Sequence, residues 1–373
     1  MKKVIFLVHR LHQYRVDFYN LLKKELEKEG IELLLIYSKS KQALKKDEVD
    51  IPWGIVIPSK RFSIFGMEFY WQPVKKYLNA SDLIIVQQAN RLLLNYYLIL
   101  FRRLHKIKMA YWGHGLNLQL PQNNIANKFK KLLIARTDWW FTYTKKVKNI
   151  VAGTGYDENK ITIVNNAIDT KKLIKEYSRL NGQTTEKIRK ELNLTTDNIG
   201  IFCGGIYEEK RIEFLIEATD LVKQQVPDFQ LIVIGSGPDE TKLKELMKTR
   251  DYIKFVGPKF HEDRVPYFKV SKVFLMPGLV GLGVLDSFAL ETPMATTNFP
   301  YHSPEIEYLK NGYNGVMTDD NVNDYATAVV KLIKDKGALN HLIQGCHTTA
   351  PLYNNEIMVR NFLEGIKQCL NDY

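Results

Sequence analysis

Short apolar runs alternate with longer stretches of helical period along the whole chain. In the first half, Val4–Val8, Leu33–Tyr37, Leu83–Gln87, Met109–Trp112, Trp139–Tyr143 and Thr162–Val164 predict strands. Between several of them, Arg15–Glu29, Arg91–His105 and Asn127–Arg136 carry apolar residues at helical spacing. In the second half the expected strands are Gly200–Cys203, Leu231–Ile234, Lys254–Val256, Val273–Met276, Met294–Thr296 and Gly315–Met317. They are rich in Val, Ile and Leu and lack alternation of polar and apolar positions, as strands covered on both faces do. Strand–helix alternation of this kind predicts a parallel, doubly wound sheet, and here it occurs twice.

The alternation breaks at a polar stretch, Glu176–Thr185, so the connection between two domains is expected within 170–197. A helix over Glu186–Leu192 would open the second. The expected domains are therefore 1–180 and 181–354. In the tail, Ile357, Met358, Phe362, Ile366 and Leu370 form a helical stripe. The fold class expected is α/β, with two Rossmann-like doubly wound domains facing a central cleft.

The apolar run after Met1-Lys-Lys ends at His9-Arg10, short of the ~7–15 residues a signal peptide needs. The longest apolar stretch, Leu92–Phe101, is interrupted by Asn95 and falls below the ~18 residues of a spanning helix. A cytoplasmic protein is expected, with peripheral attachment at the inner face of a membrane left open. Three scattered cysteines, Cys203, Cys346 and Cys369, fit a reducing compartment and make neither a disulfide framework nor a zinc knuckle.

Charge changes this picture when it is divided. The chain is +12, but residues 1–180 hold 32 basic and 15 acidic side chains, whereas 181–373 hold 21 and 26. Asymmetry of this size suggests that the first half faces an anionic partner, or else reflects solvated Lys on helix faces.

Four segments carry candidate chemistry. After the strand ending at Cys203 come Gly204 and Gly205, and Lys210 stands before the next helix. Glycines there let the backbone approach a ligand, and a Lys can meet phosphate; the bland reading is a tight turn with a solvated Lys. Gly235-Ser-Gly237-Pro238 reads as a structural turn into the helix Glu240–Met247. In the third, Gly281, Leu282, Gly283 and Val284 could present free N–H groups to a diphosphate or sugar, and Asp286 could accept both bonds of a ribose diol. In the fourth, flanking glycines expose His114 at the carboxyl end of the strand Met109–Trp112. His-Glu-x-x-His, Gly-x-Ser-x-Gly and Cys-x-x-Cys patterns are absent, and Asp319-Asp320 reads as loop solvation. No metal site is expected.

Taken in order, these segments resemble the retaining glycosyltransferases of family 4, which have the GT-B fold. The resemblance is clearest from Ile163 to Asp335 and includes Val164–Asp169, Gly204-Gly205 with Lys210, Ile234–Pro238, Phe255–Gly257, Gly281–Pro293 and Ser303–Gly315. In the amino half it is carried only by Tyr14-Arg15 and Trp112–Gly115. It implies that Lys210 stabilises the departing nucleoside diphosphate, that Asp286 binds ribose, and that Val256 and Pro258 contact the base. It further implies that His114 touches the donor sugar near the reacting centre and that the tail helix, 355–373, packs back on the first domain.

Two departures stand out. The family's first acid of a Glu-x7-Glu pair falls on Gly278 or Val280, and an Arg expected five residues before the Lys is Gly205. A missing cation weakens stabilisation of a leaving diphosphate unless another replaces it. Arg211 and Arg15 are the candidates, with Arg15 the expected source after domain closure.

The expected function is transfer of a hexose from a nucleotide-sugar, UDP-linked for preference, to a glycan or lipid-linked glycan in polysaccharide biosynthesis, without cofactor or metal. A nucleotide-sugar epimerase of the same architecture and a non-catalytic sugar-nucleotide-binding protein are the alternatives. The absence of a dinucleotide fingerprint argues against an oxidoreductase, and no nucleic-acid module is recognisable. On this reading the basic excess lies on the acceptor side, densest from Arg91 to Lys148, where contact with an anionic membrane is expected.

Overall fold

A computed structural model describes residues 1–39, 48–64, 66–115 and 133–372. The chain forms two compact units, Met1–Ile168 with Asn355–Tyr373, and Asp169–Asn354. The helix expected over 127–136 lies outside the described residues up to position 132.

In the first unit a seven-stranded sheet has the order β3-β2-β1-β6-β7-β8-β9. Its strands are β1 (Lys2–Leu7), β2 (Ile31–Tyr37), β3 (Ile55–Val56), β6 (Leu83–Gln87), β7 (Lys108–Gly113), β8 (Trp139–Thr142) and β9 (Ile161–Ile163), and every pairing is parallel. The antiparallel hairpin β4 (Lys60–Ile64) and β5 (Met67–Trp71) stands apart from it. Val4, Ile5 and Phe6 of β1 are wholly buried, as a strand covered on both faces requires.

One side of this sheet is closed by the chain's last helix, Asn355–Asn371, which packs beside the helix Val16–Lys28. Phe362 stacks on Phe141, with ring centroids 4.8 Å apart, and meets Phe6, Phe18 and Trp112. Gly365 is needed because a Cβ there would lie 2.3 Å from the Thr162 hydroxyl oxygen. Lys108 Nζ donates to the Cys369 carbonyl at 2.7 Å, and Lys160 pairs with Asp372 at 2.5 Å.

The second unit's sheet has the order β12-β11-β10-β13-β14-β15, again parallel throughout. Its strands are β10 (Ile199–Cys203), β11 (Gln230–Ile234), β12 (Ile253–Gly257), β13 (Val273–Leu275), β14 (Met294–Thr297) and β15 (Gly315–Thr318). In both sheets the order reverses once, between β1 and β6 and between β10 and β13. Crevices outside the carboxyl ends of strands at such reversals are where open α/β sheets bind ligands.

The boundary between the units falls at Ile168/Asp169, earlier than the break expected at 180. The polar stretch is helical: Thr170–Arg179 is capped by Asp169, and Gly182–Glu191 by Asn181. Each cap side chain accepts a first-turn N–H that has no partner inside its helix. The first of these helices buries Leu173 and packs on Val265–Lys269 and Gly283–Ala289, which assigns it to the second unit. Few apolar residues suffice to seat so exposed a helix, so its period is faint in the sequence.

Candidate functional site

At the reversal in the second unit, three loops meet backbone to backbone. A methyl at Gly235 would lie 1.9 Å from the Gly204 carbonyl oxygen, and one at Gly237 2.1 Å from that of Ile206. Gly204 N–H donates to Ile234 O and Ile206 N–H to Ser236 O, each at 3.0 Å. The glycines of Gly235-Ser-Gly237 are thus structural, and what they accommodate is the neighbouring loop as well as their own turn. From the other side, Leu279 N–H donates to Glu209 O at 2.8 Å, and a Cβ at Gly278 would lie 2.3 Å from that oxygen. A glutamate therefore has no room at Gly278.

This packing encloses Lys210, which is 8% exposed. Its Nζ donates to Leu279 O at 2.5 Å and lies 3.7 Å from Met276 Sδ. Burial pushes its pKa down to about 8, because the charged form loses hydration. An ammonium has three N–H donors, and the carbonyl takes one.

Beyond Gly278 the loop is held by a histidine that sequence reasoning missed. Val280 N–H donates to His302 Nδ1 at 2.9 Å, so the proton sits on Nε2, which donates to Thr297 O at 2.8 Å. Of the expected free N–H groups, Val284's is taken by Gly281 O at 3.2 Å, a correction that follows from the turn opening the helix Gly283–Ala289. Those of Leu282 and Gly283 donate to nothing among the described residues.

Asp286 is buried and receives Arg264 Nη2 on its Oδ1 at 2.7 Å. Arg264 is the second missed residue, and its Nε is buried with no partner. The only sequence signal for the pair is that two opposite charges follow β12 and β13, strands brought to one end of the sheet. Nearby, desolvation pushes the Cys203 thiol up to about 12, which leaves it protonated and non-nucleophilic. Val256 and Pro258 flank Gly257 at the end of β12, where Gly235 N–H donates to Gly257 O at 3.1 Å. Gly205 adjoins this cluster, its Cα facing the Tyr207 ring.

Arg15 does not fit the role expected of it. It is 5% exposed within the first unit, where its Nη1 donates to Ala167 O at 2.9 Å and its Nη2 to Asn166 Oδ1. Its guanidinium also lies over the Trp112 ring at 5.1 Å. These contacts make it the clamp of the Asn166-Ala167 turn. The alternative, Arg211, pairs with Asp320 and lies over Phe214 at 4.3 Å. Asp320 is therefore an ion-pair partner and not a merely solvated loop acid.

The first unit brings different groups to its own reversal. His9 and Arg10 follow β1; His9 N–H donates to Gln87 Oε1 at 2.9 Å, and its ring lies 4.4 Å from that of Tyr70. His9 Nε2 and Arg10 Nη1 are buried without hydrogen-bond partners. Desolvation, then Arg10 and His12, hold the His9 pKa down to about 4. At the end of β7, His114 is exposed and packs on Tyr143 at 4.3 Å. Gly113 leaves room for Gln88, which a Cβ would approach to 2.6 Å, and Gly115 has φ +70°. A small hollow beside them is lined by Gln88, Ala89, Asn90, Asn95, Tyr96, Tyr111 and Leu133. Among the described residues, no three His, Cys, Asp or Glu side chains converge as a metal-binding group.

Comparison with known proteins places both halves. The family model described as glycosyl transferases group 1 matches residues 197–335, and that described as glycosyltransferase family 4 matches 19–172. The chain is 21% identical to an alpha-monoglucosyldiacylglycerol synthase of Acholeplasma laidlawii, over 91% of this chain and 89% of that protein. It is 24% identical to the GtfA subunit of a UDP-N-acetylglucosamine–peptide N-acetylglucosaminyltransferase of Streptococcus agalactiae, over 46% of this chain and 35% of the relative. This chain thus spans about a third of that relative's length. Among solved structures, a glycosyltransferase from Rickettsia africae superposes with a TM-score of 0.75 at 17% identity, covering 100% of this chain and 99% of the other. HepE of Anabaena in complex with UDP gives 0.72 at 14% identity, covering 99% and 100%.

Proposed function

We propose that the chain, which has the GT-B fold, is a glycosyltransferase that takes a hexose from a UDP-linked donor and passes it to a glycan or lipid-linked glycan. The observation that carries the donor half is Lys210, a desolvated ammonium fixed at the strand-order reversal of the second unit. An enclosed cation acts on a departing diphosphate far more strongly than one in water, and its position needs no reorganisation during the reaction.

In this reading Lys210 offers its remaining N–H groups to the phosphates. The unused N–H groups of Leu282 and Gly283 lie on the same loop system and add neutral donors. Asp286 accepts a ribose hydroxyl on the oxygen Arg264 leaves open; Arg264 orients that carboxylate. His302 fixes the loop from beneath, so it is a positioning residue. Val256 and Pro258 supply backbone and apolar contact to the base. The chemistry is positioning and charge stabilisation, with retention of configuration and no metal. The choice of UDP is supported by HepE, a structural neighbour whose complexes hold UDP and UDP-glucose.

Thermal-shift titration of the purified protein with UDP, GDP and their sugars tests this. UDP at 100 times its Kd should stabilise by about 2.7 kcal/mol. A shift with NAD and none with any nucleoside diphosphate would overturn the donor assignment.

A further inference from the structure

The helix Leu93–Phe101 is apolar on both faces. Leu94, Leu98 and Ile99 are buried in the first unit's core, as its position beside the sheet demands. Its outer face should then be polar, because a surface helix carries charged residues opposite its buried stripe. Instead Leu100 is 66% exposed, Phe101 42%, and Leu104 in the following turn 78%. Tyr97 is half-buried and stacks toward Phe101 at 5.1 Å.

The charges that flank this face along the chain are of one sign, and Glu68 on the neighbouring β5 is paired with Arg61. Arg103 and Lys106 are exposed in the turn that follows the helix. His105 meets Asn79 at 2.6 Å, which brings the short helix Lys75–Leu78, with exposed Lys75 and Lys76, alongside. No acid occurs between Asp82 and Asp138. Asp82 is taken up by Lys2 Nζ and the Lys3 N–H, and Asp138 by Arg102.

We propose that this face, Leu100, Phe101 and Leu104 ringed by Lys75, Lys76, Arg103 and Lys106, docks on an anionic lipid bilayer with the apolar side chains inserted. Apolar residues ringed by Lys and Arg are the composition of helices that lie in the plane of a membrane interface. A second copy of the chain fits less well, because a two-fold contact through this face would bring the four cations of each copy against those of the other. Among the described residues no helix is long and apolar enough to cross a membrane. The proposal rests on the transferase reading only for its purpose, which is to bring the enzyme to an acceptor carried on lipid.

Insertion makes a different prediction from charge alone. Attraction between cations and lipid headgroups is lost at high salt, whereas burial of leucine is not. The full chain should cosediment with phosphatidylglycerol-rich vesicles, and a fraction should stay bound in molar salt. The double variant Leu100→Ser/Leu104→Ser should weaken binding on the order of tenfold or more and remove the salt-resistant fraction. Arg103→Glu/Lys106→Glu should weaken it at low salt by about fivefold per charge removed. Both variants should keep the wild-type thermal shift with UDP, which separates failure of this proposal from failure of the donor assignment. Unaltered vesicle binding in the leucine variant, no binding of the wild type, or a lipid-free dimer that the leucine variant abolishes would each overturn it.

Discussion

The two units share one strand order around their reversals and build those reversals in opposite ways. In the second, the reversal is a backbone construction: Gly204, Gly235, Gly237 and Gly278 bring three loops into contact and leave one buried cation, Lys210, at their junction. In the first, the equivalent place is lined by side chains, His9, Arg10, Gln87 and Tyr70, with buried nitrogen atoms that no partner satisfies. A site made of backbone tolerates few substitutions and suits a ligand part common to many enzymes, such as a diphosphate. A site made of side chains can be rewritten residue by residue, which suits an acceptor that differs between them.

The sharpest way to break this contrast is at the buried cation, Lys210. Lys210→Met keeps the volume and removes the cation, and kcat/KM for the donor should fall by roughly 10²–10³-fold. Steady-state assay with a UDP-sugar checks this, and a loss under tenfold would move the diphosphate elsewhere. Next comes stability without chemistry. Gly235→Ala meets Gly204 O in a backbone conformation of φ +153°, and a loss of about 3 kcal/mol or more in the second unit is expected by denaturant melts. Arg15→Met should cost the first unit about 2–4 kcal/mol through its orphaned turn, yet leave the Kd for UDP unchanged. Weaker UDP binding in that variant would restore Arg15 to the donor site.

A smaller effect is expected at Arg264. Arg264→Met should leave the Asp286 side chain loose, and weaken UDP binding by about tenfold in calorimetry. If UDP and free phosphate weaken equally, Arg264 contacts phosphate and not the ribose acid. The smallest effect is a pH slope. With Lys210 titrating near 8, its charged form dominates below that value and is lost above it, while the diphosphate stays ionised. Affinity for UDP should therefore fall by up to about tenfold between pH 7 and 9, and the slope should vanish in Lys210→Met.

The backbone-built site was the legible one. Glycines that follow a run such as Ile199–Cys203 announce a loop that something approaches closely, and a lysine just beyond gives that approach a sign. The strands were legible too, since residues buried on both faces write a continuous apolar run. What stayed hidden depends on partners far apart in the chain. Arg15 and Asn166, Arg264 and Asp286, and His9 and Gln87 carry no local pattern, because each pairing is made by the fold. Gly278, one of two positions for the expected acid, read only as a departure, whereas the structure shows a contact that excludes any side chain there. The hairpin of β4 and β5 escaped because half-exposed strands blur their alternation.

The placement of the last helix bears on how the chain is made. The second unit is one uninterrupted stretch, whereas the first waits for Asn355–Asn371 to complete it. During synthesis at roughly 5–20 residues per second, the face formed by Phe6, Phe18 and Phe141 stays uncovered on the order of ten to forty seconds after its own strands have emerged. Limited proteolysis of a released chain truncated before Asn355 should cleave the first unit and spare the second. The unit that begins the chain is thus the later one to finish, and until Phe362 arrives it is a client for whatever shields nascent apolar surface in the cell.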